Sequence, residues 1–234
     1  MVVGEYLFTE YYHKYVTIEA DELTANLSSA IKITDKDCYA LCSSYINEDG
    51  LICFNVLSVG ENWENCTRGL KRKEMLGTFT IDEVFNKVMR VAEADYDMVS
   101  KNKAYLEEKD KYVDDEILSI REDGRLDNIR DMYYPDIVYV GVLDSRSLNE
   151  YSMQVTGYKG PFLMGKLLEE PVSEVGIHEG EDIYALPYVI EGIVHLITLF
   201  GGDQLDAEEK KALNEIIQET ANIGLDFNGI SLKN

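Results

Sequence analysis

Carboxylates aside, few side chains in this sequence could carry chemistry. In 234 residues there are three histidines, His13, His178 and His195, and four cysteines, Cys38, Cys42, Cys53 and Cys66. His178 stands between Gly176 and Gly180, with Glu170 before it and Asp182 after it. A histidine beside two carboxylates is the raw material of a general acid–base pair or of a small metal site. His195 lies in an apolar run and reads as a hydrogen-bonded core or edge residue. The sequence has no Gly-x-Ser-x-Gly elbow, no phosphate-binding loop ending in Lys-Ser/Thr and no His-Glu-x-x-His helix. Cys38 and Cys42 lack the second ligand pair of a structural zinc site, so the thiols are expected to be reduced. Cys38, Cys42 and Cys53 fall in apolar runs and should be buried, whereas Cys66, within ENWENCTRG, should be exposed. No metal and no cofactor are expected.

Charge is the strongest global signal. Forty-four acids against 22 bases give a net charge of −22. From Leu167 to Glu209 there are eleven acids and no Lys or Arg. Such a field opposes nucleic acid and anionic membranes, because phosphate binding needs cationic side chains that displace counterions. It favours a basic protein partner. The paired carboxylates, among them Glu169–Glu170 and Glu181–Asp182, are too many to single out one with a catalytic environment. No uncharged run reaches membrane-spanning length and the N-terminus lacks a signal-peptide pattern, so a cytoplasmic protein is expected.

The elements that must position these residues read as two parts. Residues 1–122 are expected to form an α+β domain. Its strands fall at Tyr15–Ile18, Asp37–Ile46 and Leu51–Val59, with a hairpin turn at Asn-Glu-Asp-Gly, residues 47–50. Glu22 to Ala30 is expected to form a short helix. Thr80 and Glu83 make a capping-box pattern, and Ile81, Val84, Phe85, Val88, Val91, Ala92, Tyr96 and Val99 recur at helical spacing. That spacing predicts a long helix from about residue 81, with a shorter one over Asp114–Arg121. Residues 123–234 are expected to form a small curved β-sheet or barrel-like domain. Its strands are Asp136–Leu143, Tyr151–Gly157, Phe162–Leu168, Asp182–Leu186 and Ile193–Phe200. A helix after Asp206, with Leu213, Ile216, Ile217 and Ala221 inward, closes it. Pro171 should end a strand, and Gly176 and Gly180 should flank a turn that exposes His178.

The second part resembles an uncharacterised bacterial domain family. The likeness rests on Arg125, Leu126 and Asp127, then Tyr134, Pro135 and Asp136, then Gly165, Leu167, Leu168, Glu170 and Pro171. Gly176, His178, Gly180, Asp182 and Ile183 complete it. Glu169 stands where that family usually has Asn, and Glu181 precedes the acid of its Gly-Asp step. The resemblance implies a role among the immunity and accessory proteins of bacterial toxin systems.

The functional expectation is therefore a non-enzymatic acidic protein that masks or inhibits a basic partner such as a toxin domain. Its contact residues would be Glu169, Glu170, Glu174, Glu179, Glu181 and Asp182, with Trp63 and the N-terminal tyrosines as aromatic anchors. Two alternatives stand beside it: a small-molecule site or hydrolase built on Glu170, His178 and Asp182, and a nucleic-acid mimic whose carboxylates replace phosphates.

Overall fold

The computed structural model describes residues 1–27, 33–69, 71–94, 96–143, 148–160, 162–172, 175–190 and 193–199. The C-terminal helix expected after Asp206 lies outside them. The described chain is mixed α+β and divides into two compact units. Met1–Asp114 with Met132–Pro135 forms the first, and Asp115–Asp131 with the chain from Asp136 onward forms the second.

In the first unit a one-turn helix α1 (Phe8–Tyr11) leads into β1 (Tyr15–Glu19), β2 (Tyr39–Ile46) and β3 (Ile52–Gly60). A 3-10 segment at Asp21–Asn26 occupies the start of the short helix expected over Glu22 to Ala30. The Asn-Glu-Asp-Gly turn joins β2 to β3 as expected. Asn47 Oδ1 accepts from the N–H groups of Asp49 (3.0 Å) and Leu51 (2.9 Å), and Gly50 takes a φ of 81° that favours glycine. Helix α2 (Trp63–Thr67), strand β4 (Lys71–Thr80) and, further on, β5 (Met89–Val91) follow, and the five antiparallel strands lie in the order β4-β3-β2-β1-β5. One sheet face is apolar: Ala40, Cys42, Ile46, Ile52, Phe54 and Val56 pack with Phe8, Tyr11, Tyr12, Ile81, Val84 and Met89. A fully buried side chain such as Phe54 contributes about 1.5–3 kcal/mol by leaving water.

The long helix expected from residue 81 is not there. The capping box forms, since the Glu83 carboxylate accepts from Thr80 N–H (2.8 Å), but α3 (Ile81–Val84) stops after one turn. The chain then enters β5 (Met89–Val91), which pairs with β1 at Val16, Thr17 and Ile18. Val88, Met89 and Val91 suit a pleated edge as well as a helix, and the backbone of β1 needs a partner on that side. Tertiary pairing decides the matter. The helix proper is α4 (Tyr96–Asp110), tied to the N-terminal segment by His13 Nε2 to Asp110 Oδ2 at 3.1 Å.

Cys66 is also unlike its expectation. It is fully buried, its thiol donates to the Tyr39 carbonyl at 2.9 Å, and burial pushes its pKa up to about 12. Helix α2 folds ENWENCTRG back over the sheet, so a polar stretch carries one inward residue. Cys38 is half-buried rather than buried, Cys42 and Cys53 are buried, and all four cysteines are free. The N-terminal tyrosines differ likewise: Tyr11 and Tyr12 are core residues, and Tyr6 donates its hydroxyl to the Met89 carbonyl.

The second unit starts with α5 (Asp115–Arg121) and a 3-10 segment at Gly124–Ile129. Five strands follow: β6 (Ile137–Leu143), β7 (Leu148–Lys159), β8 (Phe162–Leu167), β9 (Asp182–Ile190) and β10 (Ile193–Leu199). They form an antiparallel meander closed into a barrel by parallel pairing of β10 with β6 at Ile197 and Gly141. Closure removes the free edges that an open sheet would expose. Val138, Val140, Met153, Val155, Leu163, Leu167, Ile183, Ala185 and Leu196 fill the interior with Ile120, Leu126 and Ile129 from the lead-in. Gly165 is required by β7, because a Cβ there would strike the Gln154 carbonyl and the Met153 side chain.

That lead-in carries a buried charge network. Arg121 forks onto Asp136, with Nε to Oδ1 at 2.9 Å and Nη2 to Oδ2 at 2.6 Å. Arg130 lies against Asp127 at 3.4 Å and donates to the Ile120 carbonyl, while Arg125 forks onto Asp123 at 2.8 and 2.6 Å. Burial lowers the Arg130 pKa, and the charges of Asp127, Asp136 and Asp123 oppose that shift. Replacing Asp136 by alanine leaves two buried guanidiniums short of a countercharge and should cost about 3–5 kcal/mol. Chemical denaturation followed by hydrogen exchange at β6–β10 measures it; a loss below about 1 kcal/mol would show the network is dispensable. In the first unit, a thiol reagent should label Cys38 ahead of the other three cysteines under native conditions, counted by mass spectrometry.

Candidate functional site

The site residues of the second unit sit on the connection between β8 and β9. β8 stops at Leu167 because Pro171 cannot extend the ladder and restricts Glu170 before it. Two backbone bonds close the neck of the loop: Leu167 N–H to the Glu181 carbonyl (3.0 Å) and Gly180 N–H to the Leu167 carbonyl (2.8 Å). The loop is also fastened to β7. Leu168 N–H donates to the Ser152 carbonyl (2.9 Å), Glu169 Oε1 accepts from Ser152 N–H (3.0 Å), and Val172 N–H donates to the Tyr151 hydroxyl (3.0 Å). Gly176 and Gly180, at φ 79° and 81°, form the corners that a side-chain Cβ would strain.

Glu170 and His178 are in direct contact. His178 Nδ1 lies 2.8 Å from Glu170 Oε1, and the second carboxylate oxygen accepts from Glu179 N–H at 2.9 Å. The hydrogen bond from His178 and that from the Glu179 backbone hold the Glu170 carboxyl below its ordinary range. The same bond raises the His178 imidazole above its ordinary value. His178 N–H donates to Glu181 Oε2 at 3.2 Å. Asp182 does not join the pair; it meets Lys166 at 3.0 Å on the strand surface.

Chemically this pair can share a proton and little more. Both side chains are open to water, at 67% and 55% exposure for His178 and Glu170, so nothing excludes solvent from a reacting centre. Among the described residues no three His, Cys, Asp or Glu side chains are grouped to hold a metal ion. Glu179 and Glu181 are exposed on the same loop, and Glu174 lies outside the described residues. Trp63 belongs to the first unit, where it is half-buried against the Tyr39 ring (4.6 Å) and under the Arg90 guanidinium (4.5 Å). His195 is half-buried in β10.

The structure adds Tyr139, which sequence reading passed over. It faces outward from β6 opposite Ser152, is 40% exposed, and donates its hydroxyl to Asp131 at 3.0 Å. Its pKa is raised by burial first, then by the bond to Asp131 and by the charges of Asp131, Glu169 and Glu150. An aromatic ring framed by carboxylates therefore adjoins the base of the loop. Its signal was the period of two in Val138, Tyr139, Val140, which puts the valines inside and the tyrosine outside.

No protein-family model, curated protein or solved structure matches the chain.

The dyad predicts a pH window. The raised His178 pKa makes its contribution complete below the ordinary value of 6.5 and lost as pH rises through the raised value. The lowered Glu170 pKa makes its contribution present above 4.5 and lost as pH falls through the lowered value. The contact is thus intact between those ordinary values. An NMR titration of the His178 ring should give a pKa above 6.5 that returns toward it in Glu170→Gln. Identical titrations in both proteins would show that the pair does not form in solution.

Proposed function

We propose that this chain is a non-enzymatic acidic binding protein whose β8–β9 loop receives a basic protein partner. The observation that carries the reading is that three of the loop's carboxylates are exposed yet held in place. Glu169 is bonded to Ser152, Glu170 to His178 and Glu179, and Glu181 to His178, all on a loop closed at its neck. Side chains ordered before binding lose less freedom when a Lys or Arg arrives. Tyr139 among Asp131, Glu150 and Glu169 supports the same reading, since an aromatic face with acids around it suits a guanidinium or ammonium group.

The absence of Lys and Arg between Leu167 and Glu209 favours rapid, steered encounter with a positive surface. A partner that acts on RNA or DNA would present such a surface, and occupying it would mask that activity. This extends the immunity-protein role implied by the family resemblance. A nucleic-acid mimic would need its acids laid along one extended face; here they are spread through the chain and alternate with ordinary core residues. The hydrolase alternative rests on the Glu170–His178 contact alone.

Affinity capture from the native host, with the wild-type chain and the double variant Glu179→Lys/Glu181→Lys, tests the proposal. A basic protein should be retained by the wild type, its association slowed on the order of tenfold or more by the double variant and by raised salt. The fold should change by no more than about half a kcal/mol, as for other exposed substitutions. Tyr139→Ala should weaken the complex chiefly through faster dissociation. If wild type and double variant bind the same partner at the same rate, the loop is not the binding surface. Turnover of a small molecule lost in His178→Ala would sink the non-enzymatic reading.

A further inference from the structure

The second face of the sheet in the first unit carries a polar row flanked by buried Leu41, Tyr45 and Cys53. One row of side chains crosses four strands: Tyr15 pairs with Ser43, Ser43 with Asn55, and Asn55 with Thr78. Ser43 and Asn55 are completely buried. α4 lays Asn102 over them, itself 2% exposed. Asn102 Oδ1 accepts from Ser43 Oγ (3.1 Å) and from Asn55 Nδ2 (3.0 Å), and Asn102 Nδ2 donates to the Tyr15 hydroxyl (3.3 Å). One atom is left over. Asn55 Oδ1 is buried and has no hydrogen-bond partner among the described residues.

A buried amide oxygen without a donor is rare in folded proteins, because it gives up its hydration and gains nothing. Among the described side chains of α4, Asn102 is the buried one, while Val99, Tyr105, Leu106 and Lys109 are half-buried. The sequence has placed amides and hydroxyls where two packed layers ordinarily place aliphatic groups.

We propose that the seam between α4 and this row is a binding seat for one small uncharged hydrogen-bond donor, and that a water molecule occupies it. The chemistry of the walls selects the guest. Ser43, Asn55, Asn102 and Tyr15 offer amides and hydroxyls and no carboxylate, so a metal cation would find no counter-charge among them. An anion would face the Asn55 carbonyl oxygen. A neutral donor is what remains. Asn102 already bridges Ser43 and Asn55 at 3.1 and 3.0 Å, so the guest beside Asn55 Oδ1 is no larger than water. Buried waters typically make about three hydrogen bonds to such groups and help hold layers together. Thr78, at the end of the row, is exposed.

A crystal structure of the full chain that resolves ordered solvent, with oxygen-17 relaxation dispersion in solution, tests the proposal. The expected result is a single solvent peak within hydrogen-bond distance of Asn55 Oδ1. The solution signal should contain one long-lived water that disappears in Asn55→Leu. The wild-type density decides the matter even if that variant fails to fold. Density for a larger molecule, or an Asn55 oxygen bonded to a protein donor with no solvent beside it, would overturn the proposal.

Discussion

The barrel of the second unit depends on charges being buried in pairs. Arg121 and Asp136 join α5 to the start of β6, and Arg130 and Asp127 pin the 3-10 segment between them. A buried ion pair adds little net stability compared with apolar packing, but a mispaired arrangement is strongly unfavourable. The network therefore works by excluding alternatives. In any register of the lead-in other than the observed one, a guanidinium would lose its carboxylate away from water. With the register fixed, Ile120, Leu126 and Ile129 enter the barrel interior, and β6 begins where its valines face inward.

This changes the meaning of the motif residues singled out between Arg125 and Ile183. Leu126, Leu167 and Ile183 are core; Asp127 and Asp136 are ion-pair members; Gly165 permits a close backbone approach. Structure alone accounts for them. Glu170 and His178 are different, because they are exposed and touch each other on a loop whose neck is already closed by backbone bonds. Geometric and surface roles are thus separated within one short motif.

Legibility in the sequence followed the strength of local signals. The Asn-Glu-Asp-Gly hairpin was readable because Asn47 and Gly50 each satisfy a local turn requirement. The strands of the barrel were readable from turn residues and apolar alternation; the Glu170–His178 contact was not, since it depends on how the loop between them turns. The helix at residue 81 was misread because Val88, Met89 and Val91 satisfy two periodicities, and only the unpaired side of β1 decides between them. Cys66 was misread because its neighbours are polar while the thiol alone points inward. The Tyr15–Ser43–Asn55–Thr78 row was invisible, since its members come together only through strand register.

Met132–Pro135 groups with the sheet although the chain on both sides of it groups with the barrel. The Tyr133 carbonyl accepts from Ile52 N–H at 3.0 Å, and its ring stacks on Phe85 at 5.5 Å. The first unit is therefore not a continuous stretch of polypeptide. During synthesis the sheet stays one strap short until residue 135 has left the ribosome, by which time α5 and the buried arginines have emerged too. Truncation at residue 114 would remove the cover from Ile52 and Phe85, whatever its effect on the rest of the sheet. The covalent order of the chain thus makes the two units share a folding history that their separate cores do not require.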